Sequence, residues 1–516
     1  MTTWKIGLAA IFVCTASAAF AQQQPITLAD ATQRALQRNT DIKIEREVVT
    51  VSEAREAGAL GNYDVRFHAE ATEHHHVDPI TTLFSGAPPG EIMPSATDFS
   101  SSVSLTKLFK SGATATASAS MGRDVTDSFF TLFLPAYLTS VGVQVRQPLL
   151  RSRTTDSART QLRITALDRE KSNAQLQTQV QEVVAAVEQA YWSLAAARRE
   201  VEVRTNAIAL AEAQRMDTQA RIDARTAAAL DIAQPTAEVE RRRGDLFQAQ
   251  EVAARAERTL KQLMTDDPSD AIWSQTLVPS DAVESDIRRV DVQRALTDAV
   301  MRRPEIAAAQ TDISSAEAQT ALAKDALRPQ VDVVGGYTMH GLAGTHNPQT
   351  VSFPGIISPF PDVLSGAIGT SYDALFRQRF PDASIGVSVD VPLGRRGAKS
   401  DYGVAQSQQR QASLRMSQLR ERIAVEVLNA ATALDTAASR IQSTRAGLEA
   451  ANTQLQAEQE RFGAGTSTNF LVLTRQNDLQ QAQSAAISAL ADYRRALAEF
   501  ARASGTLLTD RGITVK

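Results

Sequence analysis

Three stretches of this chain occur twice, in the same order. Ala35-Leu-Gln-Arg-Asn-Thr-Asp-Ile42 returns as Ala299-Val-Met-Arg-Arg-Pro-Glu-Ile306. Val141-Gly-Val-Gln-Val-Arg-Gln-Pro-Leu149 returns as Ile385-Gly-Val-Ser-Val-Asp-Val-Pro-Leu393. Arg221-Ile-Asp-Ala-Arg-Thr-Ala-Ala-Ala-Leu-Asp-Ile232 returns as Arg461-Phe-Gly-Ala-Gly-Thr-Ser-Thr-Asn-Phe-Leu-Val472. Each pair aligns without gaps. A chain built from two large copies folds as two similar halves, and each copy here reads helix, strands, very long helical hairpin.

The ends bound the folded part. Lys5, the apolar run Ile6 to Ala19 and the Ala19-Phe20-Ala21 site have the order of a secretory signal peptide, residues 1–21. The only cysteine, Cys14, lies inside it, so disulfides, thiol catalysis and cysteine metal sites are not expected. Ile11-Phe12-Val13 before it is a poor lipoprotein box. No other run approaches the ~18 apolar residues of a membrane helix. Charges are interspersed around a net of −4, so nucleic acid is not an expected partner. Aromatics make up 5% while alanine and glutamine abound, which suits long, closely packed helices.

From about Thr154 to Ile222 there is neither proline nor glycine. A helix of that extent would be about 100 Å long. The second copy, about Val404–Phe462, is nearly as long. Val180, Val183, Val184, Val187, Tyr191 and Leu194 recur at three- and four-residue spacing, a narrow stripe that packs laterally against other helices. Each long helix reverses at a short turn, Asp223–Ala229 and Gly463–Thr468, into helices Leu230–Met264 and Asn469–Ala503. Asn469 or Thr468 is placed to cap the last of these. Shorter helices open each copy, one over Thr27–Leu60 with a Thr27/Asp30 capping box, the other over Val290–Leu327.

Val65–Thr72, Ala113–Met121, Val141–Arg146 and Ile385–Val391 alternate apolar with polar residues. Period two fits either half-buried strands or a transmembrane barrel. Long loops at Asp78–Ser95, Asp124–Ala136 and Gly341–Asp382 favour the barrel, in which short turns face one side and long loops the other. One chain holds too few strands to close it, and an open edge in lipid leaves backbone groups unpaired. Several copies are therefore expected to share one wall.

These residues resemble the outer-membrane efflux protein (TolC-like) family across the whole mature chain. The family's Ala-Leu-x-x-Asn-Pro-x-Ile opening motif is similar to Ala35–Ile42 and Ala299–Ile306, and its strand-to-helix corner to Gln147-Pro148-Leu149 and Val391-Pro392-Leu393. Glu460-Arg-Phe-Gly-Ala-Gly-Thr-Ser467 with Phe470-Leu-Val-Leu473, then Asp492-Tyr493 and Gly505-Thr506-Leu507, carry the strongest match. The resemblance implies a mainly α protomer with a membrane β-barrel portion, assembled as a homotrimer. The implied whole is a trimeric α-helical tunnel across the periplasm plus a shared barrel in the outer membrane. Residues 1–21 are then the signal peptide, 22–62 the first opening helix, 63–150 the first strand set, and 151–265 the first long hairpin. An equatorial linker spans 266–289, the second opening helix 290–330, the second strand set 331–394, the second hairpin 395–505 and a tail 506–516. The family usually supplies four strands per protomer. The first copy here adds a candidate hairpin, Ser102–Leu108 and Ala113–Met121, about Lys110-Ser-Gly112.

The resemblance also places a gate at the helical tips. Asp231 matches an acidic gate position, whereas Leu471 and Thr474 stand where the family often has aspartates, so closure here is expected to be more apolar, through Phe462 and Leu471. The tips Ala224, Arg225, Thr226 and Ala227, with Gly463, Ala464, Gly465, Thr466 and Ser467, are expected to dock a periplasmic adaptor (membrane fusion) protein working with an inner-membrane transporter. The expected function is a passive exit duct in outer-membrane lipid. A periplasmic adaptor or a structural helical envelope protein is the alternative, disfavoured by two hairpins with two strand sets. No catalytic constellation, cofactor site or metal site is expected. His74-His75-His76 reads as a solvated strand end, because successive strand residues alternate faces and no Asp, Glu or Cys set is expected to converge with them. Arg241-Arg242-Arg243 reads as a solvated helix face, and Asp231 is equally a helix-start acid suited to the dipole.

Overall fold

The computed structural model describes residues 23–77, 79, 86, 95–128, 130–226, 228–282, 287, 290–348, 350 and 362–515. The signal segment 1–21 and most of the Asp78–Ser95 loop lie outside these residues. The chain divides into two compact units. One gathers residues through Val49, Ser172–Ala308 and residues from Met416 onward; the other gathers Thr50–Lys171 and Ala309–Arg415. No described helix is long and apolar enough to cross a membrane.

The first unit is helical. Strand β1 (Gln23–Ile26) leads into helix α1 (Leu28–Arg38), whose start is the expected capping box: Thr27 Oγ1 accepts the Asp30 N–H at 3.1 Å. The expected single opening helix is two. The Asn39 side chain accepts from the N–H groups of Asp41 and Ile42 and starts α2 (Thr40–Leu60), while its amide donates to the Leu263 carbonyl at 3.1 Å. An N-cap bonds outward rather than continuing the helix, so the axis turns there.

The long helices are α3 (Ser157–Asp223) and the returning α4 (Ala233–Leu263), the latter preceded by a 3-10 turn at Ala229–Ile232. The stripe read from spacing is the core: Val180, Val184, Val187, Tyr191 and Leu194 are all buried, with Leu260, Met264 and Leu277 against them. Burying each such aliphatic side chain contributes about 1.5–3 kcal/mol. β6 (Thr276–Pro279) pairs in parallel with β1, a contact that period-two reading missed because each strand has four residues. Tyr191 is the buried knot, its hydroxyl donating to Asp281 at 2.5 Å and lying 3.1 Å from the Ile26 carbonyl.

The second copy repeats the break in its opening helix. α5 (Val292–Arg302) ends before α6 (Pro304–Asp325), because Pro304 has no N–H to continue the ladder. α8 (Arg396–Gly463) begins earlier than the spacing predicts, absorbing Gly397 and Gly403, and α9 (Asn469–Ala503) has the predicted bounds. Thr468 holds the N-cap position of α9 without a side-chain cap bond, and the Asn469 side chain accepts from Gln214 instead.

The second unit carries one sheet of six strands in the order β2-β3-β4-β5-β7-β8, every neighbour antiparallel. They are β2 (Arg66–Val77), β3 (Ser95–Leu108), β4 (Thr114–Thr126), β5 (Phe133–Pro148), β7 (Gln330–His346) and β8 (Phe380–Asp390). The candidate hairpin is real and exceeds the four strands implied by resemblance. It turns at Phe109–Ala113, where Gly112 sits at φ +84° and an added Cβ would lie 2.7 Å from the Ser152 carbonyl oxygen. β7 went unread because Gly335-Gly336 interrupts its alternation. A short helix, α7 (Ile368–Phe376), lies within the stretch expected to be loop.

Candidate functional site

Directly paired residues in a sheet point to the same side. One face of the six strands therefore carries the row Phe67, Leu105, Ala117, Val143, Tyr337, Ala383 and the row Ala69, Val103, Ala119, Val141, Met339, Pro381. The other face carries Glu70, Ser102, Ser120, Ser140, His340 and Phe380 in one row, and His68, Ser104, Ser118, Gly142, Thr338 and Asp382 in the next. Much of the apolar face is bare in the single chain, Phe67 being 68% exposed and Ile385 86%, whereas Thr139 on the same face is covered at 2%. The polar-face residues Glu70, Ser102, Ser120, Ser140 and His340 contribute to the lining of a groove of about 680 Å³. A contiguous bare apolar face of this extent on a water-soluble surface is rare and marks contact with lipid or protein. The outer edges of β2 and β8 carry no strand partner among the described residues.

α7 sits on the apolar side. Ser371 and Thr139 exchange a hydroxyl hydrogen bond at 2.9 Å, and a Cβ on Gly341 would lie 2.0 Å from the Ser371 carbonyl oxygen. Glycine at 341 is what lets the helix approach. Tyr372 and Phe376 on this helix remain exposed.

The helical tips are built twice on one plan. Thr226 N–H and Oγ1 both donate to the Arg221 carbonyl, at 2.8 and 2.9 Å; Thr466 does the same to Arg461, at 2.9 and 3.1 Å. Arg225 donates its N–H to Ile222 with φ +59°, and Gly465 to Phe462 with φ +75°. Ala224, Arg225, Thr226, Gly463, Ala464, Gly465 and Thr466 are all exposed, and Ser467, half-buried, donates to Glu458. Ala227 lies outside the described residues.

The expected gate residues do not form one cluster through the bonds they make. Asp231 is exposed and accepts the Ala228 N–H at 3.1 Å, the local capping role. Thr474 returns its hydroxyl to the Phe470 carbonyl at 2.8 Å. Leu471 is 39% exposed, and its neighbour Phe470 61%. Phe462 alone reaches the other hairpin: the Arg221 guanidinium stands 4.2 Å from its ring centroid.

One residue that joins the hairpins departs from the sequence expectation. Arg242 is not on a solvated face; it is 1% exposed, while Arg241 and Arg243 on either side are half exposed. A helix turns 100° per residue, so three successive residues cannot share a face. Arg242 donates to Glu238 at 2.7 Å, to the Ala207 carbonyl at 2.7 Å and to Gln476 of α9 at 3.4 Å, and Arg241 donates to Asn477 at 3.1 Å. Burial pushes the Glu238 carboxyl up, but the bonds from Arg241 and Arg242 outweigh it and hold it below its ordinary value.

Nearer the linker, Asp270 accepts from Arg34, Arg38, Thr265 and the Ile272 N–H; the Ile272 backbone bond first, then those from Arg34 and Thr265, outweigh burial and hold its carboxyl at about 2. Glu426 accepts from both Arg303 and Arg502 and lies below its ordinary value despite burial. Asp270 thereby ties α1 to the linker, and Glu426 ties α8 to Arg303 and to Arg502 of α9.

Residues 295–506 match the family described as outer membrane efflux protein. None of the curated proteins matches by sequence. Among solved structures, a membrane protein from Pseudomonas aeruginosa is similar at 17% identity, 93% coverage of each chain and a TM-score of 0.64. The outer-membrane channel OprN is similar at 17% identity, 93% of this chain and 90% of that one, TM-score 0.63. The Campylobacter jejuni CmeC outer membrane channel is similar at 14% identity, 93% and 86%, TM-score 0.64. At these identities the likeness is one of fold.

Proposed function

We propose that this chain, whose residues 295–506 match the outer membrane efflux protein family, is a member of that family and forms the outer-membrane exit duct of a tripartite efflux or type I secretion system. The observation that carries this reading is the sheet: six antiparallel strands, apolar on one face, serine-rich on the other, with both edges open. Strands of 11 to 17 residues exceed the ~9–11 needed to span a bilayer. Only closure satisfies edge backbone groups in lipid. β2 and β8 run in opposite directions within the sheet, so β8 of one copy can pair antiparallel with β2 of the next. Three copies, the number that resemblance to the TolC-like family implies, close a barrel of about 18 strands, and barrel diameter grows roughly linearly with strand number. The duct performs no chemistry of its own.

The exposed tips are the docking points for a periplasmic adaptor protein that works with an inner-membrane transporter. Ala224, Gly463, Ala464 and Gly465 expose backbone with little side chain above it, which lets a partner helix approach closely. Opening is a shift between discrete packings of the two hairpins, resisted by Arg242 with Gln476 and by Arg221 over Phe462.

The test is reconstitution. Detergent-purified protein should migrate as a heat-modifiable trimer and give ion-conducting steps in a planar bilayer. Single chains that carry no current would overturn the reading. A photo-crosslinker at Thr466 should capture an adaptor-type periplasmic protein in the native cell; capture of none would remove the docking assignment and leave the duct standing.

A further inference from the structure

We propose that His74, His76 and Asp98 bind a divalent transition-metal ion on the polar face of the sheet. Neighbours in a strand point to opposite faces, so the three histidines of the run do not share one. That alternation is what selects the pair: His74 and His76, two residues apart on β2, share a face, and their rings stack with centroids 5.0 Å apart at 19°. His75 points the other way, where its ring nitrogen meets the Thr97 hydroxyl at 2.9 Å. The acid that sequence spacing could not supply comes from the next strand. Asp98 of β3 is the register partner of His74, and its carboxylate lies 3.6 Å from His76 Nδ1. One ligand atom from each of the three residues lies within 4.8 Å of the others.

A second feature points to a cation at the same place. Asp124 of β4 is the register partner of Asp98, so two carboxylates stand side by side on one face. Like charges directly opposite one another destabilise a sheet. An ion held by His74, His76 and Asp98 cancels that repulsion. Two imidazoles with a carboxylate suit zinc, copper or nickel rather than calcium or magnesium, which prefer all-oxygen sets. A tetrahedral ion with bonds of about 2.0–2.2 Å spaces its ligands roughly 3.4 Å apart, which the partly exposed side chains reach by small rotamer adjustments. A bound ion would clamp the edge strand β2 to β3 at the end remote from α2. The site lies within one chain and does not depend on the proposed assembly.

The experiment uses the full mature chain without an affinity histidine tag, stripped with chelator and titrated with Zn²⁺ and with Cu²⁺ by calorimetry. One ion per chain is expected. His74→Ala, His76→Ala and Asp98→Asn should each weaken binding tenfold or more, while His75→Ala and His68→Ala leave it unchanged. Electron paramagnetic resonance of the Cu²⁺ form should show two coordinating nitrogens in the parent chain and one in His76→Ala. Circular dichroism checks that each variant is folded. Absence of binding overturns the proposal. So does binding that His75→Ala weakens as much as His74→Ala, or that ignores Asp98→Asn, since either would mean that the histidine run, not the fold, holds the metal.

Discussion

Arg225 and Gly465 occupy the same place in the two tips, and only one is suited to it. Both have a left-handed backbone, which costs a side-chain-bearing residue about 1–2 kcal/mol and glycine nothing comparable. Arg225→Gly should therefore firm the first tip, and Gly465→Val should loosen the second, each by about 1 kcal/mol. Hydrogen exchange at Thr226 and Thr466 reads this directly: slower exchange at the first and faster at the second is expected. A second prediction concerns Glu238. Its carboxyl lies below the ordinary value in the folded chain, so its bonds to Arg241 and Arg242 stabilise the fold above the ordinary carboxylate range of about 4.3. That contribution is lost as pH falls through the depressed folded value. Glu238→Gln should then be less stable than the parent at pH 7 and converge with it in strong acid, as followed by denaturant midpoints across pH. A constant difference at every pH would contradict the ion-pair account.

At the scale of elements, the duplication is unequal. Both copies break their opening helix at the same point, one through the Asn39 cap and the other through Pro304. Both end their long hairpins in matching turns. The first copy alone inserts β3 and β4 between β2 and β5. Because a hairpin adds two strands, β2 and β5 keep opposite directions with or without it. Deleting Ser95–Thr126 should therefore still permit closure, with about 12 strands in a trimer and a conductance near half that of the parent, as pore area scales with the square of diameter. Bilayer recordings of parent and deletion check this, and equal conductance would show that the strands are not the limiting bore. Alternating strands such as Val141–Arg146 were legible from period two. β7 was not, since paired glycines at 335 and 336 erase the pattern, and α7 lay hidden in a stretch without periodicity.

For the whole molecule, Cys14 is the one cysteine in the sequence, so pairs introduced beyond it report contacts against little background. One cysteine on β2 and one on β8, scanned over a few registers, should cross-link chain to chain on oxidation and yield products of two and three chains, closing at three. Cross-linking only within one chain, or ladders beyond three, would refute the shared wall. Paired replacement of Arg242 and Gln476 by cysteine, joined by a reducible bifunctional thiol reagent long enough to stand in for the arginine side chain, should, conversely, lock the two hairpins of one chain together. Reduced conductance in that variant, restored by reductant, is the expected outcome if opening needs these hairpins to shift.

What the sequence determined by itself is whatever depends on neighbours along the chain. Helix length follows from the absence of Gly and Pro between about Thr154 and Ile222, and the core stripe from the spacing of Val180 to Leu194. The tertiary structure decided what depends on residues far apart. Six strands rather than four, the burial of Arg242 against Gln476, and the meeting of His74 and His76 with Asp98 all arise from pairings across many residues. Local propensity carries no information about them, because the free energy that selects them appears only when the partner arrives.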